Sequence, residues 1–408
     1  MSIGKIAVIS TRVRLNKEKG YTRSRYICEF LTDAGYEVDL ITTTFQLWEK
    51  TQRDVAKIQK EKYKFNIKFI FEPGYKKSIS LRRMHSYRIA AKNLTALLEK
   101  EGDYDLIYSE IPPNDVALAA AEYARQKGIP FIVDVNNLWP EAMYTAVDIP
   151  IFRSLLFHSM HRDAEKIYSL ASGVIGTSDE YRDRPFENQK RDIPKQTVYV
   201  GNEISVFDEG VQKSWEIVNK SEDEFWVTYA GTIGTNYDIR TMILAAEKLA
   251  ERGLSDIRFK IIGGGSMKAE LEEMANARQI YSVEFVGYIS YEKMAAYLKK
   301  SDILVNSYVK KASRSVATKI GDYLAAGKPM INTCMSLEFR NKVEIDGFGV
   351  NIMPEDVNVL ADTIEDLHEN KELCLQMGKK ARAIAEEQFD RPKAYHKIEE
   401  MIRQLIEK

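Results

Sequence analysis

The sequence predicts an α/β protein of two Rossmann-like parallel-sheet domains facing a cleft, and three observations predict it. Short β-branched runs alternate with amphipathic stretches, the pattern of parallel strands covered by helices on both faces. The alternation comes in two series, and between them the polar stretch from Asn202 to Glu222 has little periodicity and reads as a linker. The 408 residues, 44% of them hydrophobic, exceed what one compact core holds and suffice for two.

The first series opens with the run Lys5 to Ser10, a polar loop and an amphipathic stretch from Arg23 to Ala34 that stops at Gly35. Tyr36 to Thr42 is the next strand, and Leu106-Ile107-Tyr108, Ile129 to Val133 and Gly173 to Gly176 continue the series. The second follows Val198-Tyr199-Val200, with strands expected at Phe225 to Ala230, Phe259 to Ile262, Val283 to Val286, Ile303 to Asn306 and Pro329 to Asn332. From Lys379 to the end the chain is helical, broken only around Phe389 to Pro392, where a proline can restart a helix. The expected domains are residues 1–204, joined by the C-terminal helix 391–408, and residues 205–390. Sheets of this kind bind ligands at the carboxyl ends of their strands, so the candidate site lies in the cleft.

Composition narrows the function. The 59 basic and 60 acidic side chains nearly cancel, so no global field argues for nucleic acid. The balance is local: between Lys50 and Lys92 stand thirteen basic and three acidic side chains, Lys76, Lys77, Arg82, Arg83 and Arg88 among them. That stretch is suited to anionic lipid or a phosphorylated acceptor, or it is a solvated helix face. Cys28, Cys334 and Cys374 make neither a disulfide framework nor a zinc site. No run reaches the ~18 apolar residues of a membrane span, and the N-terminus lacks a signal h-region, so the expected location is cytoplasmic, at most peripheral at a membrane.

Three glycine clusters follow successive strands of the second series: Gly231 with Gly234, Gly263-Gly264-Gly265, and Gly287. Glycines there let backbone amides approach an anion. None reads G-x-G-x-x-G and no Walker pattern occurs, which disfavours dehydrogenases and P-loop enzymes. The segment Ser313 to Pro329 carries more. Ser313, Ser315 and Thr318 are expected to cap a helix that runs to Ala326 and ends at Gly327. Lys319 then falls in the first turn, where a cation opposes the helix dipole and an anion would resolve the conflict. Asp322 would share its face, to meet ribose hydroxyls or to pair with Lys319.

These residues resemble the retaining glycosyltransferases of family 4, the branch that assembles bacterial surface polysaccharides of the capsule and O-antigen type. Asp134-Val135-Asn136-Asn137-Leu138-Trp139-Pro140-Glu141 is similar to that branch's D-x-x-D-L-W-P-E signature, and Ser109-Glu110-Ile111-Pro112-Pro113 to the turn one strand earlier. Tyr229 to Gly234, Ile262 to Gly265, Phe285 to Gly287 and Lys319 to Pro329 fall in the family's order and spacing, the last being the most specific. The resemblance implies a GT-B fold and a UDP sugar as donor substrate, with no cofactor. It puts Asp322 at the ribose, Gly287 and Tyr288 beside the base, and Lys319 with Ser315, Thr318 and the turns at Gly231, Thr232 and Gly264 about the diphosphate. Gly20 and Tyr21 would close over the donor, and Glu110, Asn136, Asn137 and Trp139 would line the acceptor and sugar side. A saccharide or lipid-linked acceptor is implied.

Three departures stand out. Arg314 and Asp322 occupy positions where many relatives carry two glutamates, Thr232 stands where some carry arginine, and Asn136 and Asn137 replace a histidine. The cationic role then rests on Lys319, helped by Arg314. Leaving-group charge on a diphosphate needs fixed donors, which a lysine and backbone amides supply without a metal, and no Asp-x-Asp motif or histidine cluster is present. Two rivals share the architecture. An epimerase needs paired acid and base groups, which His85, His158, His161, His368 and His396 do not form. The other rival is a non-catalytic protein that binds a sugar nucleotide.

Overall fold

The computed structural model describes residues 3–16, 18, 22–77, 80–141, 143, 150–312 and 316–407, with backbone alone for 150–156. Two compact units divide the chain, residues 1–198 with 395–408 and residues 199–394. In the first, seven parallel strands are ordered β5-β2-β1-β6-β7-β8-β9: β1 (Lys5–Ile9), β2 (Glu37–Thr43), β5 (Asn66–Ile70), β6 (Leu106–Ile111), β7 (Phe131–Val135), β8 (Gly173–Gly176) and β9 (Lys195–Thr197). A two-residue hairpin, β3 (Phe45–Gln46) with β4 (Thr51–Gln52), leaves the sheet after β2. In the second unit six parallel strands are ordered β12-β11-β10-β13-β14-β15: β10 (Phe225–Ala230), β11 (Ile257–Ile262), β12 (Val283–Gly287), β13 (Ile303–Asn306), β14 (Met330–Asn332) and β15 (Gly349–Asn351). Each sheet reverses its direction of growth beside its first strand, between β1 and β6 and between β10 and β13. Those switch points open a crevice at the carboxyl ends of the strands.

The central strands are buried on both faces, as parallel strands under two helix layers must be. In β10, Phe225, Val227 and Tyr229 face helices Ile239–Glu251 and Val357–Glu369, and Ala230 faces the layer that contains Ile320–Ala326 and Tyr291–Lys300. In the first unit helices Leu81–Glu101, Asn114–Lys127 and Pro150–Leu170 form one layer. On the other face Tyr26 of helix Arg23–Asp33 meets Tyr395 edge-on at 5.2 Å, and Phe30 meets His396 at 5.1 Å, which docks the C-terminal helix His396–Ile406.

Sequence and structure part at two places. The stretch read as a linker holds the helix Ile204–Ser214, which buries Ile204, Phe207, Gly210 and Ser214 against Tyr291–Lys300. Its apolar stripe is broken by a glycine, and that glycine is there because the partner backbone passes close: a Cβ on Gly210 would lie 3.2 Å from the Glu292 Cα. β5, β9 and β15 went unpredicted, since Asn66, Lys68, Lys195, Gln196 and Gly349 dilute their apolar character at sheet edges. The break expected around Phe389 to Pro392 is present: a π turn (Ala385–Phe389) ends the preceding helix and a short helix (Arg391–Ala394) restarts at Pro392, ahead of His396–Ile406.

One buried ion pair ties together the carboxyl side of the first sheet. Arg23 grips Asp134 with two bonds of 2.9 and 3.2 Å, and its remaining nitrogen donates to the Val198 carbonyl at 2.9 Å and to the Tyr395 hydroxyl at 3.1 Å. The Tyr108 hydroxyl donates to Asp134 at 2.8 Å. Both charged side chains are at most 3% exposed, so removing one leaves the other desolvated and alone. Asp134→Ala should therefore lower the free energy of unfolding by roughly 3–5 kcal/mol, whereas the double variant Arg23→Met with Asp134→Leu should recover most of it. Urea unfolding of the single and double variants checks this, and equal losses in both would contradict it.

Candidate nucleotide site

The carboxyl edge of the second sheet is built by two turns that pass backbone to backbone. Gly231 N–H donates to Ile262 O at 2.9 Å, Ile233 N–H to Gly264 O at 2.9 Å, and Gly263 N–H to Gly287 O at 2.8 Å. Gly263 has φ +130° and a Cβ there would lie 1.9 Å from the Gly231 oxygen, so the glycine is required for packing before any ligand arrives. At Gly264 and Gly287 a Cβ would meet nothing within 4 Å, which leaves open space over the turns. Among the described residues, the N–H groups of Thr232 and Gly264 have no hydrogen-bond acceptor. These are free donors at the switch point. A cavity of about 480 Å³ adjoins the first turn, lined by Gly234, Thr235, Tyr237, Asp238 and Arg240.

Lys319 lies beneath this edge, but not in a first helical turn: the helix is Ile320–Ala326, with Lys319 as its cap residue and no side-chain cap. Its stem runs past Gly231, whose Cβ would sit 3.7 Å from the Lys319 Cδ. The amine ends inside a cage of four tyrosine rings, 4.3 Å from the centre of Tyr229, 5.0 Å from Tyr237, 5.3 Å from Tyr308 and 5.6 Å from Tyr323. The stem is partly exposed, yet the Nζ atom is fully buried and has no hydrogen-bond partner among the described residues. The cage is fixed to the turn, for Tyr229 donates its hydroxyl to Thr232 O at 2.7 Å, and Tyr323 accepts from Ala230 N at 2.7 Å. Ring faces attract the cation but accept no strong hydrogen bond from it, and burial pulls the Lys319 pKa down to about 7.

Asp322 occupies a separate pocket. Its Oδ1 accepts from Asn202 Nδ2 at 2.8 Å and from the Tyr291 hydroxyl at 2.7 Å, and burial raises its pKa. No ion pair joins Asp322 to Lys319, because the carboxylate is taken up by Asn202 and Tyr291 while the amine turns into the tyrosine cage. Thr318 is exposed and does not cap the helix, correcting the expectation from sequence. Tyr288, beside Gly287, is 92% exposed. Gly20, Tyr21, Ser313, Arg314 and Ser315 lie outside the described residues. The tyrosine cage, Asn202 and Tyr291 escaped the sequence reading. Their positions are scattered along the chain, and only Tyr229 and Tyr323 fall within motifs.

In the first unit the switch point is closed by Glu110 at the end of β6. It accepts from Ser10 Oγ at 2.7 Å, Ser24 Oγ at 3.2 Å and Arg12 N at 3.3 Å, and pairs with the Arg12 guanidinium at 3.5 Å. With its oxygens filled, Glu110 orients Arg12 and the serines and is not a free carboxylate. Asn136 bonds its own strand at Asp134 O, 3.1 Å away, and Asn137 is half-buried. Trp139 packs with Phe45, Tyr75 and Tyr87 beneath the Arg83 guanidinium, which lies 4.5 Å from its ring. It is core more than contact surface. Among the described residues no helix is long and apolar enough to cross a membrane.

The unpartnered amine, the free turn amides and the switch-point strand order all belong to one stretch of chain. Residues 211–384 match the family Glycosyl transferases group 1. A curated relative, named "Putative colanic acid biosynthesis glycosyl transferase WcaI" from Escherichia coli (strain K12), is 30% identical over 137 residues, 33% of each chain. The matches span 33% to 60% of the length of the curated relatives. Among solved structures, sucrose-phosphate synthase from Thermosynechococcus elongatus superposes with a TM-score of 0.71 at 18% identity over 99% of both chains. Anabaena HepE in complex with UDP gives 0.67 at 15% identity, over 99% of this chain and 100% of that one. The fold is GT-B, with two parallel-sheet α/β domains.

The caged amine sets a dependence of stability on pH. Below pH 7 folded and unfolded chains both hold the Lys319 proton, and the full cost of enclosing the charge is borne. Between about 7 and lysine's ordinary 10.5 the unfolded chain holds more protons, so stability rises with pH. Lys319→Met should accordingly raise the thermal midpoint, most at pH 6.5 and least near pH 10. Thermal unfolding across that range tests it, and a gain that is constant with pH would refute the cage as the cause.

Proposed function

We propose that this chain is a retaining glycosyltransferase that moves a sugar from a nucleoside diphosphate, UDP by preference, onto a saccharide or lipid-linked acceptor of a cell-surface glycan. The family match over residues 211–384 supports glycosyl transfer, and the relative named for colanic acid biosynthesis supports a polysaccharide product. The UDP seen with the HepE neighbour supports the choice of nucleotide. The observation that carries the reading is the buried, unpartnered amine of Lys319 under a turn with free N–H groups.

As the bond between sugar and diphosphate breaks, negative charge grows on the leaving oxygen. Lys319 supplies the cation there, and the amides of Thr232 and Gly264 supply donors fixed before the reaction begins. Asp322, held by Asn202 and Tyr291, turns its other oxygen to the ribose hydroxyls. Retention follows if the departing phosphate takes the acceptor's proton on the same face, with Arg314 assisting at the donor. No metal and no cofactor is invoked. On the first unit, Arg12 and Asn137 face the acceptor. Lys76, Lys77 and Arg82 are exposed near Leu81, itself 81% exposed, which suits peripheral contact with an anionic inner membrane face. The epimerase reading loses ground because His368, the one histidine of residues 199–394, pairs with Asp256 just ahead of β11, at the opposite edge of the sheet.

Incubation with UDP sugars and a lipid-diphosphate acceptor tests the proposal, since only a transferase consumes both and releases UDP. Lys319→Ala should lower kcat/KM by about 10²–10³, the scale of one lost donor to a developing oxyanion. Unaltered kinetics would remove the assignment. In the wild type kcat/KM should fall as pH rises through about 7, because the free enzyme loses the cation. Lys319→Arg should flatten that limb, and a profile identical to the wild type would contradict the role. Asp322→Ala should raise the donor KM more than it lowers kcat.

A further inference from the structure

The motif that ends Gly327-Lys328-Pro329 contains a second lysine, and nothing at the nucleotide site uses it. Lys328 follows the left-handed glycine that closes helix Ile320–Ala326, so it lies at the amino edge of the sheet, opposite the glycine turns. A cavity of about 810 Å³ opens there, bounded by the residues that precede the strands: Glu224, Asp256, Asp302 and Pro329. That volume is in the range of small-molecule sites.

Its charges are unequally satisfied. Lys299 donates to Ala326 O at 3.1 Å, and Arg382 to Ala325 O at 3.0 Å, so both stop the helix's last carbonyls. Arg382 also forks onto Asp208 and bridges to Glu386. Asp302 is occupied by Lys220 and by Trp226 N–H at 2.6 Å, Asp256 by His368, and Glu224 by the Trp226 indole at 2.7 Å. Lys328 has no hydrogen bond or ion pair among the described residues. It is half-buried, and burial above all lowers its pKa, the pull of Asp302 being opposed by repulsion from Lys220 and Lys299. Lys371 and Lys379 extend the cationic wall at the exposed rim, also unpartnered, and Glu222 and Asp223 are the unpaired acids, both on the exposed rim. Lys328 therefore brings to the cavity a half-buried amine with no fixed hydrogen-bond acceptor among the described residues, beside an Asp302 already held by Lys220 and Trp226.

We infer that this cavity binds a small phosphorylated molecule at Lys328, with Lys379 closing on it from the rim, as a site separate from the donor site. The chemistry asks for a compact anion with several acceptor oxygens, which matches a phosphate ester and exceeds what chloride offers. The inference stands independently of the proposed transferase activity.

Inorganic pyrophosphate is the probe, titrated into the full chain at fixed ionic strength while thermal unfolding is followed. Pyrophosphate can also enter the nucleotide site, so the wild type is compared with Lys319→Met, Lys328→Gln and Lys379→Gln. The expected result is a saturable rise in midpoint that survives in Lys319→Met, with an apparent Kd weakened at least about tenfold in Lys328→Gln and several-fold in Lys379→Gln. Four outcomes overturn the inference: no saturable shift, the same shift from sodium chloride at equal ionic strength, loss of the whole shift in Lys319→Met, or wild-type affinity in Lys328→Gln. Should Lys328→Gln not fold, Lys379→Gln decides, since that exposed residue is removed without touching the core. Unchanged affinity there overturns the site and weakened affinity supports it.

Discussion

The candidate site turns on one uncompensated charge. An amine enclosed by four aromatic rings, with no oxygen among the described residues to receive its protons, is a state that folding opposes, because desolvation of a cation costs more than ring quadrupoles return. The surrounding structure holds it there: the tyrosines are pinned to the Gly231 turn, that turn is pinned to the next one through paired backbone groups, and the packed helix Ile320–Ala326 fixes the stem. Under the proposed function, a diphosphate over the turns would supply the missing countercharge. The energy that burial of the amine costs would then be available to binding and to the leaving group, the usual relation between a strained site and a less stable fold.

A second buried cation shows the alternative treatment. Arg23 in the other unit is surrounded by partners, with Asp134 on its fork and Val198 and Tyr395 on its remaining nitrogen, so it has nothing left to offer a ligand. Glu110 resembles it, every direction being filled by Ser10, Ser24 and Arg12. Saturated charges of this kind hold a frame, in which Glu110 fixes the backbone and guanidinium of Arg12. Burial alone does not separate the two classes of residue; the count of unmet donors does.

Much of the fold could be read from the chain, since β10 and β13 are nearly continuous apolar runs that a doubly covered sheet accommodates. Edge strands such as Gly349–Asn351 could not, because half of each is solvated and carries polar residues. Helix Ile204–Ser214 was hidden for a different reason: its contact is made by the absence of a side chain at Gly210, which periodicity counts as a gap. At the site, Lys319 and Asp322 stood out by motif. The reason for Lys319's position did not, for it comes from rings at 229, 237, 308 and 323 that only tertiary folding assembles. Likewise the tripled glycines suggested an anion cradle, whereas Gly263 is demanded first by a neighbouring carbonyl.

The helix Ile320–Ala326 has seven residues, about 10 Å from end to end, and all but Asp322 are buried. Lys319 precedes it and Lys328 follows its closing glycine, so a single stiff rod touches both rims of the sheet. Thermodynamic reciprocity then requires that whatever one rim gains from occupancy of the other, it returns in equal measure. In this way a motif of eleven residues, Lys319 to Pro329, can serve as a coupling element as well as a grip on one ligand.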